Sequence, residues 1–191
     1  MIKTQLKSSW VLSLPLLFKI ERKLMKAFRN SYLAYLFLYS FYFMSTALFT
    51  TLISVYLIGR QYSASQVSNL VSTAFFLSML AQPLFGYINE RFGIVKITTL
   101  SLVVLMAGVG GFIWAPNYFW LTIFYGLVLL CLNGTAPMME VFATQSPYAF
   151  GKIRVWGTLG YAAGAHLAGW LYAHLTPQSV YYCVLLTILL S

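Results

Sequence analysis

The sequence predicts an all-α membrane protein, and three observations carry that expectation. Only 8% of the residues are charged and 60% are apolar, against about 25% charged in a soluble domain. The apolar residues gather in runs close to the ~20 residues that a helix needs to cross hydrocarbon. The basic residues collect in alternate connections between those runs.

Residues 1–30 read as a basic amino-terminal extension on the cytoplasmic side. They hold seven of the twelve Lys and Arg residues. The apolar stretch from Trp10 to Phe18 is too short to span and carries Pro15. It has the character of a signal-peptide core, but Lys19, Glu21, Arg22 and Lys23 follow where a small-residue cleavage site belongs. Residues 1–24 are therefore expected to come from an upstream start or a disrupted gene. The transmembrane half then runs over 31–191.

The first helix is expected at 32–58, which contains no charge. The second is expected at 66–88, interrupted by Pro83. The third covers 97–115 and is closed by Pro116. The fourth covers 118–142 and contains Glu140. The fifth covers 155–175 and is ended by Pro177. A sixth begins at 179 and has only until 191, roughly 20 Å of helix, which is too short to span.

Charge sets the expected orientation. The extension, the 2–3 connection (Arg91, Lys96) and the 4–5 connection (Lys152, Arg154) hold 11 basic residues, and the other connections hold Arg60 alone. Basic connections stay cytoplasmic. The chain is thus expected to be a multi-pass plasma-membrane protein with a cytoplasmic amino terminus and the lipid bilayer as its first partner. The net charge of +9 follows this topology and implies no nucleic acid.

Catalytic chemistry is not expected. Cys131 and Cys183 lie inside apolar runs without metal-ligand spacing, and His166 and His174 have no carboxylates near them. No nucleophile–base pair, phosphate-binding loop or cofactor motif is present, so the reading is a non-enzyme with no cofactor.

Two constellations do carry chemistry. The first is Gly86-Tyr87-Ile88-Asn89-Glu90-Arg91-Phe92-Gly93-Ile94-Val95-Lys96. Gly86 would allow close approach of a neighbouring helix. Glu90 and Arg91 can pair at the helix end. Gly93 supplies a sharp turn, and Lys96 completes the set. This run resembles the gating loop of the major facilitator superfamily of secondary transporters, with Glu90 where Asp is usual and Ile94 where a base is usual. In that family the loop latches two helices across the cytoplasmic gate.

The second is Glu140 with Arg154. They lie seven residues before and after Pro147, so two antiparallel helices bring them to similar depth. A charge within a span is a functional-site hypothesis by default. Asn133 and Ala136 share a face with Glu140, and Thr158 and Tyr161 share one with Arg154. Base, acid, amide, hydroxyl and ring together suit a polyhydroxy ligand. A structural ion pair fixing helices 4 and 5 stays equally open. Gly160 and Gly164 need no ligand, because their spacing is a helix-packing motif. The many Tyr and Phe residues of helix 1 read as core or lipid-facing.

The runs Asn133-Gly134-Thr135-Ala136-Pro137-Met138-Met139-Glu140 and Gly151-Lys152-Ile153-Arg154-Val155-Trp156-Gly157-Thr158 resemble the lactose permease branch, the oligosaccharide–proton symporters. Gln82-Pro83-Leu84-Phe85-Gly86 is similar to that branch as well. Phenylpropionate-type permeases share the Gly-x-x-Arg-x-Trp-Gly run. The resemblance implies the amino-terminal six-helix half of a major facilitator fold, cut within helix 6. It implies that Glu140 and Arg154 contact substrate near the midplane, that Asn133, Ala136 and Thr158 line the same cavity, and that Tyr161 is the stacking ring. It implies a sugar and a proton as cargo of the intact parent, a missing carboxyl-terminal half, and no coupled transport by this chain alone. A transporter of nucleosides, aromatic acids or drugs remains an alternative, as does an inert remnant or a half that needs a second chain.

Overall fold

The computed structural model describes residues 31–191, so the expectations for 1–30 lie outside the described residues. The described part is all-α. Its helices are α1 (Tyr32–Thr50), α2 (Ile53–Gly59), α3 (Ala64–Phe92), α4 (Ile94–Ile113), α5 (Tyr118–Thr144), α6 (Phe150–His174) and α7 (Ser179–Leu190).

The first two form one apolar stretch, Tyr32–Gly59. The helix is interrupted where threonines bond back along it: Thr46 Oγ1 donates to the Tyr42 carbonyl at 3.0 Å and Thr50 Oγ1 to the Thr46 carbonyl at 2.8 Å. Such bonds loosen and bend a helix. Helix α3 starts earlier than apolar content predicts, because Ser63 and Gln66 form a reciprocal capping box. It also runs unbroken through Pro83. Gly93 separates α3 from α4 with φ +89 and ψ 134, a backbone conformation that only glycine adopts freely. Asn117 caps α5 by accepting from the Trp120 amide at 3.2 Å. Helix α6 begins at Phe150, more than a turn before the predicted position.

Among the described residues, four stretches are long and apolar enough to cross a membrane: Tyr32–Gly59, Ala64–Phe92, Ile94–Ile113 and Tyr118–Thr144. Helix α6, expected as a fifth span, has the length at 25 residues without reaching that apolar content. Its Lys152, Arg154, His166, His174 and glycines dilute it.

Packing departs from simple chain order. Helix α6 lies chiefly against α1, and α5 lies against α3 and α4. The α1–α6 contact is made by small residues. A Cβ at Gly160 would collide with the Ser40 carbonyl oxygen and lie 2.8 Å from Ser40 Cα, and one at Gly164 would lie 2.6 Å from the Met44 oxygen. These backbones touch, as a small-xxx-small face permits. Polar bonds reinforce the seam. Ser40 Oγ donates to the Trp156 carbonyl at 3.2 Å, and Trp156 Nε1 donates to Tyr32 Oη at 2.8 Å.

The end of the bundle away from the α5–α6 connection is filled by rings. Phe49, Tyr56, Phe112, Tyr125 and Tyr181 contact one another with centroids 4.7–6.1 Å apart. Closer to the bundle's middle, Tyr42 is buried and donates to the Leu132 carbonyl at 2.6 Å, with Thr135 Oγ1 at 2.8 Å. That bond ties α1 to α5.

Two outcomes test this packing. Gly160→Val should destabilise the folded chain by about 1–3 kcal/mol or more, the usual cost of overpacking a close contact, read as a lower midpoint of thermal unfolding in detergent. Tyr42→Phe should cost about 1 kcal/mol, one net hydrogen bond, in the same assay.

Candidate functional site

A cavity with a charged pair in a largely apolar wall opens beside the α5–α6 connection, between α1, α5 and α6. It measures about 250 Å³ and is lined by Tyr39, Phe43, Glu140, Arg154, Gly157, Thr158 and Tyr161. Pro147 lies in the short connection between Thr144 and Phe150, where the chain reverses. The reversal sets the last turn of α5 beside the first turns of α6. Glu140 is four residues from the end of α5, and Arg154 is four residues into α6.

The two charges meet loosely. Arg154 Nη1 stands 3.8 Å from Glu140 Oε2, with side chains 62% and 38% exposed. A structural fork would place two parallel bonds near 2.8 Å. The guanidinium also sits over the Phe150 ring, 5.5 Å from its centroid. An exposed pair of this kind is worth ~0–1 kcal/mol. It is too weak to clamp two helices, and its exposed groups are free to accept a ligand.

Four residues of helix rise about 6 Å, so each charge lies about one turn from the helix end that meets the α5–α6 connection.

Thr158 and Tyr161 line the cavity as their spacing from Arg154 suggests, and Tyr161 is 43% exposed. Asn133 and Ala136 do not line it. Asn133 Nδ2 donates to Ser78 Oγ at 2.9 Å and ties α5 to α3. Seven residues of helix turn about 700°, some 20° short of two full revolutions, and Pro137 stands between Asn133 and Glu140. The seven-residue spacing therefore does not hold the two on one wall.

Sequence reasoning missed Tyr39, Phe43 and Gly157. A signal was present: Tyr32, Tyr35, Tyr39, Tyr42 and Thr46 recur at alternating three- and four-residue steps, which puts five hydroxyls on one face of α1. The surrounding rings of that helix hide the stripe in any simple measure of polarity.

The second constellation is assembled differently from its expected form. Gly93 makes the turn. Gly86 meets no neighbour, because nothing lies within 4 Å of where its Cβ would stand. One residue earlier, the Phe85 ring packs over Gly134, where a Cβ would lie 2.8 Å from it, so the close approach of α3 to α5 uses Gly134 and not Gly86. Glu90 and Arg91 do not pair among the described residues. Arg91 Nη1 instead reaches Tyr87 Oη at 3.4 Å and lies 5.8 Å from the Phe92 ring centroid. Lys96 is exposed near the start of α4. Glu90 borders a second cavity of about 350 Å³ between α3 and α5, with Gln82, Asn89 and Gln145. No group of His, Cys, Asp and Glu able to hold a metal occurs among the described residues.

Comparison with known proteins now bears on this geometry. The model of the MFS_1 like family matches residues 32–191. The sucrose permease of Escherichia coli is 27% identical over 171 residues, covering 82% of this chain and 41% of that protein. The maltose permease of Geobacillus stearothermophilus is 28% identical over 164 residues, covering 81% and 40%. The chain thus spans about two fifths of the length of these relatives. No solved structure matches it significantly. A family match over nearly all the described helices, together with apolar spans that enclose a polar wall, makes this chain a member of the MFS_1 like family of the major facilitator superfamily, a multi-pass membrane protein.

Proposed function

We propose that this chain carries the ligand-binding wall of a sugar permease. The observation that supports the reading is a carboxylate and a guanidinium 3.8 Å apart, set in one cavity with the hydroxyl of Thr158 and the exposed ring of Tyr161. Glu140 accepts from sugar hydroxyls, Arg154 donates to them, and Tyr161 stacks on the apolar face of a sugar ring. The sucrose and maltose permeases among its relatives point to an oligosaccharide. Asn133 and Ala136 act behind this wall, through the α3–α5 contact.

The cavity is smaller than the ~300–1,000 Å³ of a closed ligand pocket. It fits one wall of a site that a second half completes. Transporters of this type bind substrate between two halves that rock about it. Transport is then by alternating access with proton symport in the plasma membrane, and the coupling groups belong to that second half. The amino terminus and the loop of Gly86, Glu90, Arg91, Gly93 and Lys96 face the cytoplasm, where the loop gates.

Equilibrium binding of radiolabelled sucrose and maltose to the full chain in nanodiscs tests the reading. Saturable binding of one of them is expected. Arg154→Ala should abolish it, and Arg154→Lys should weaken it about tenfold, since a point charge replaces the fork. Unchanged binding in Arg154→Ala removes the site assignment. Displacement of bound sugar by aromatic acids or nucleosides at lower concentrations than by sugars would favour a different cargo.

A further inference from the structure

One residue of the cavity wall carries a buried polar atom that makes no well-formed hydrogen bond. It is the hydroxyl of Tyr39, a residue only 2% exposed. A buried hydroxyl left unsatisfied costs on the order of 1–3 kcal/mol. A phenylalanine would fill the same space without that cost. Tyr42, three residues on, shows how the same helix satisfies a buried phenol, since its hydroxyl bonds both the Leu132 carbonyl and Thr135.

Tyr39 is also held in place. Gly157 lies flat against its ring, where a Cβ would come within 2.6 Å of Cδ1 and 2.8 Å of Cε1. Phe43 packs beside it with centroids 5.0 Å apart. The ring therefore has little freedom to turn toward a protein acceptor. Its hydroxyl lies within the reach of the Glu140 carboxylate and feels the Arg154 charge, yet it completes no well-formed hydrogen bond, and all three residues line one cavity.

We propose that Tyr39 is a ligand-contacting residue, whose hydroxyl donates to a hydroxyl oxygen of a polyhydroxy ligand held by Glu140 and Arg154. This rests on reading the cavity as a sugar site and adds a specificity determinant to it. A sugar hydroxyl is both donor and acceptor. It can accept from the fixed phenol and pass its own proton into a bond with the Glu140 carboxylate. A ligand lacking a hydroxyl at that position leaves the phenol as unpaired as it is in the empty site. Discrimination between hydroxylated and deoxy ligands then falls on one atom.

The test uses the full chain in nanodiscs with sucrose, maltose and their monodeoxy analogues as probes. Four proteins are compared: wild type, Tyr39→Phe, Tyr42→Phe as a control outside the cavity, and Arg154→Ala. Tyr39→Phe should weaken sugar binding about 5–20-fold, the range expected for one buried hydrogen bond, while Tyr42→Phe leaves affinity unchanged. One deoxy analogue should bind wild type about as weakly as the parent sugar binds Tyr39→Phe, and that analogue should bind Tyr39→Phe no worse than the parent sugar does. A structural role for Tyr39 would not erase the penalty of a single ligand hydroxyl. Equal affinity in wild type and Tyr39→Phe, or a deoxy penalty that persists in the variant, overturns the assignment while binding still depends on Arg154. Absence of sugar binding in wild type overturns the sugar reading and this assignment together.

Discussion

The site depends on the contact of α6 with α1 across Gly157, Gly160 and Gly164. In lipid, helices gain nothing from hiding apolar surface, so close packing and hydrogen bonds must hold them. Here the glycines bring the α6 backbone onto Ser40 and Met44, and Ser40 and Tyr32 add bonds along the same seam. The rotation of α6 follows from that contact. With the glycine face turned to α1, Arg154, Thr158 and Tyr161 are directed to the cavity beside it. Gly157 serves both purposes, since its missing side chain lets the Tyr39 ring lie at the cavity wall.

The charged pair contributes little to holding the fold. At about 4 Å two unit charges attract by ~1 kcal/mol in water and ~4 kcal/mol at an effective dielectric of 20. Both side chains are more than a third exposed, so the lower figure applies, reduced further by the entropy of fixing two long side chains. Placing each charge at the centre of a bilayer costs about 2.5–3.5 kcal/mol on insertion scales. A pair this loose offsets little of such a cost, and both side chains stay open to the adjoining cavity.

The fold was largely legible in the sequence because it is written in apolar runs and in punctuation. Gly93 marks the α3–α4 break by conformation, and the spacing of Gly160 and Gly164 marks a close helix contact. Less legible were the helix starts set by side-chain chemistry, such as the Ser63–Gln66 capping box, which lies outside the apolar run it begins. Of the candidate site, Glu140, Arg154, Thr158 and Tyr161 were readable as rare polar residues at helical spacing, and they do share a cavity. Asn133 was misplaced because helical spacing gives a face but not the neighbour on that face, and Ser78 claims its amide. Tyr39 was hidden because α1 is aromatic all round, so a phenol on the cavity wall has no contrast with the rings about it. Glu90 and Arg91 are adjacent in sequence, yet consecutive residues of a helix point about 100° apart, and each finds its own surroundings.

Two uncovered faces of the bundle differ in what they demand. Helix α3 exposes Phe75, Phe76, Met79 and Leu80, and hydrocarbon satisfies that surface as well as a protein would. The wall of Glu140, Arg154, Thr158 and Tyr161 is another matter. Lipid tails offer it no hydrogen bonds, and an unsatisfied polar group in hydrocarbon costs several kcal/mol. Water, a hydroxylated ligand or further polypeptide must cover it. The polarity of the two faces thus separates a surface suited to hydrocarbon from one suited to hydrogen-bonding neighbours, without reference to any relative. That the α6 helix is long yet falls short of the apolar content of a free-standing span follows from the same division, because a helix that gives one side to glycine contact and another to a wet cavity has little left to offer lipid.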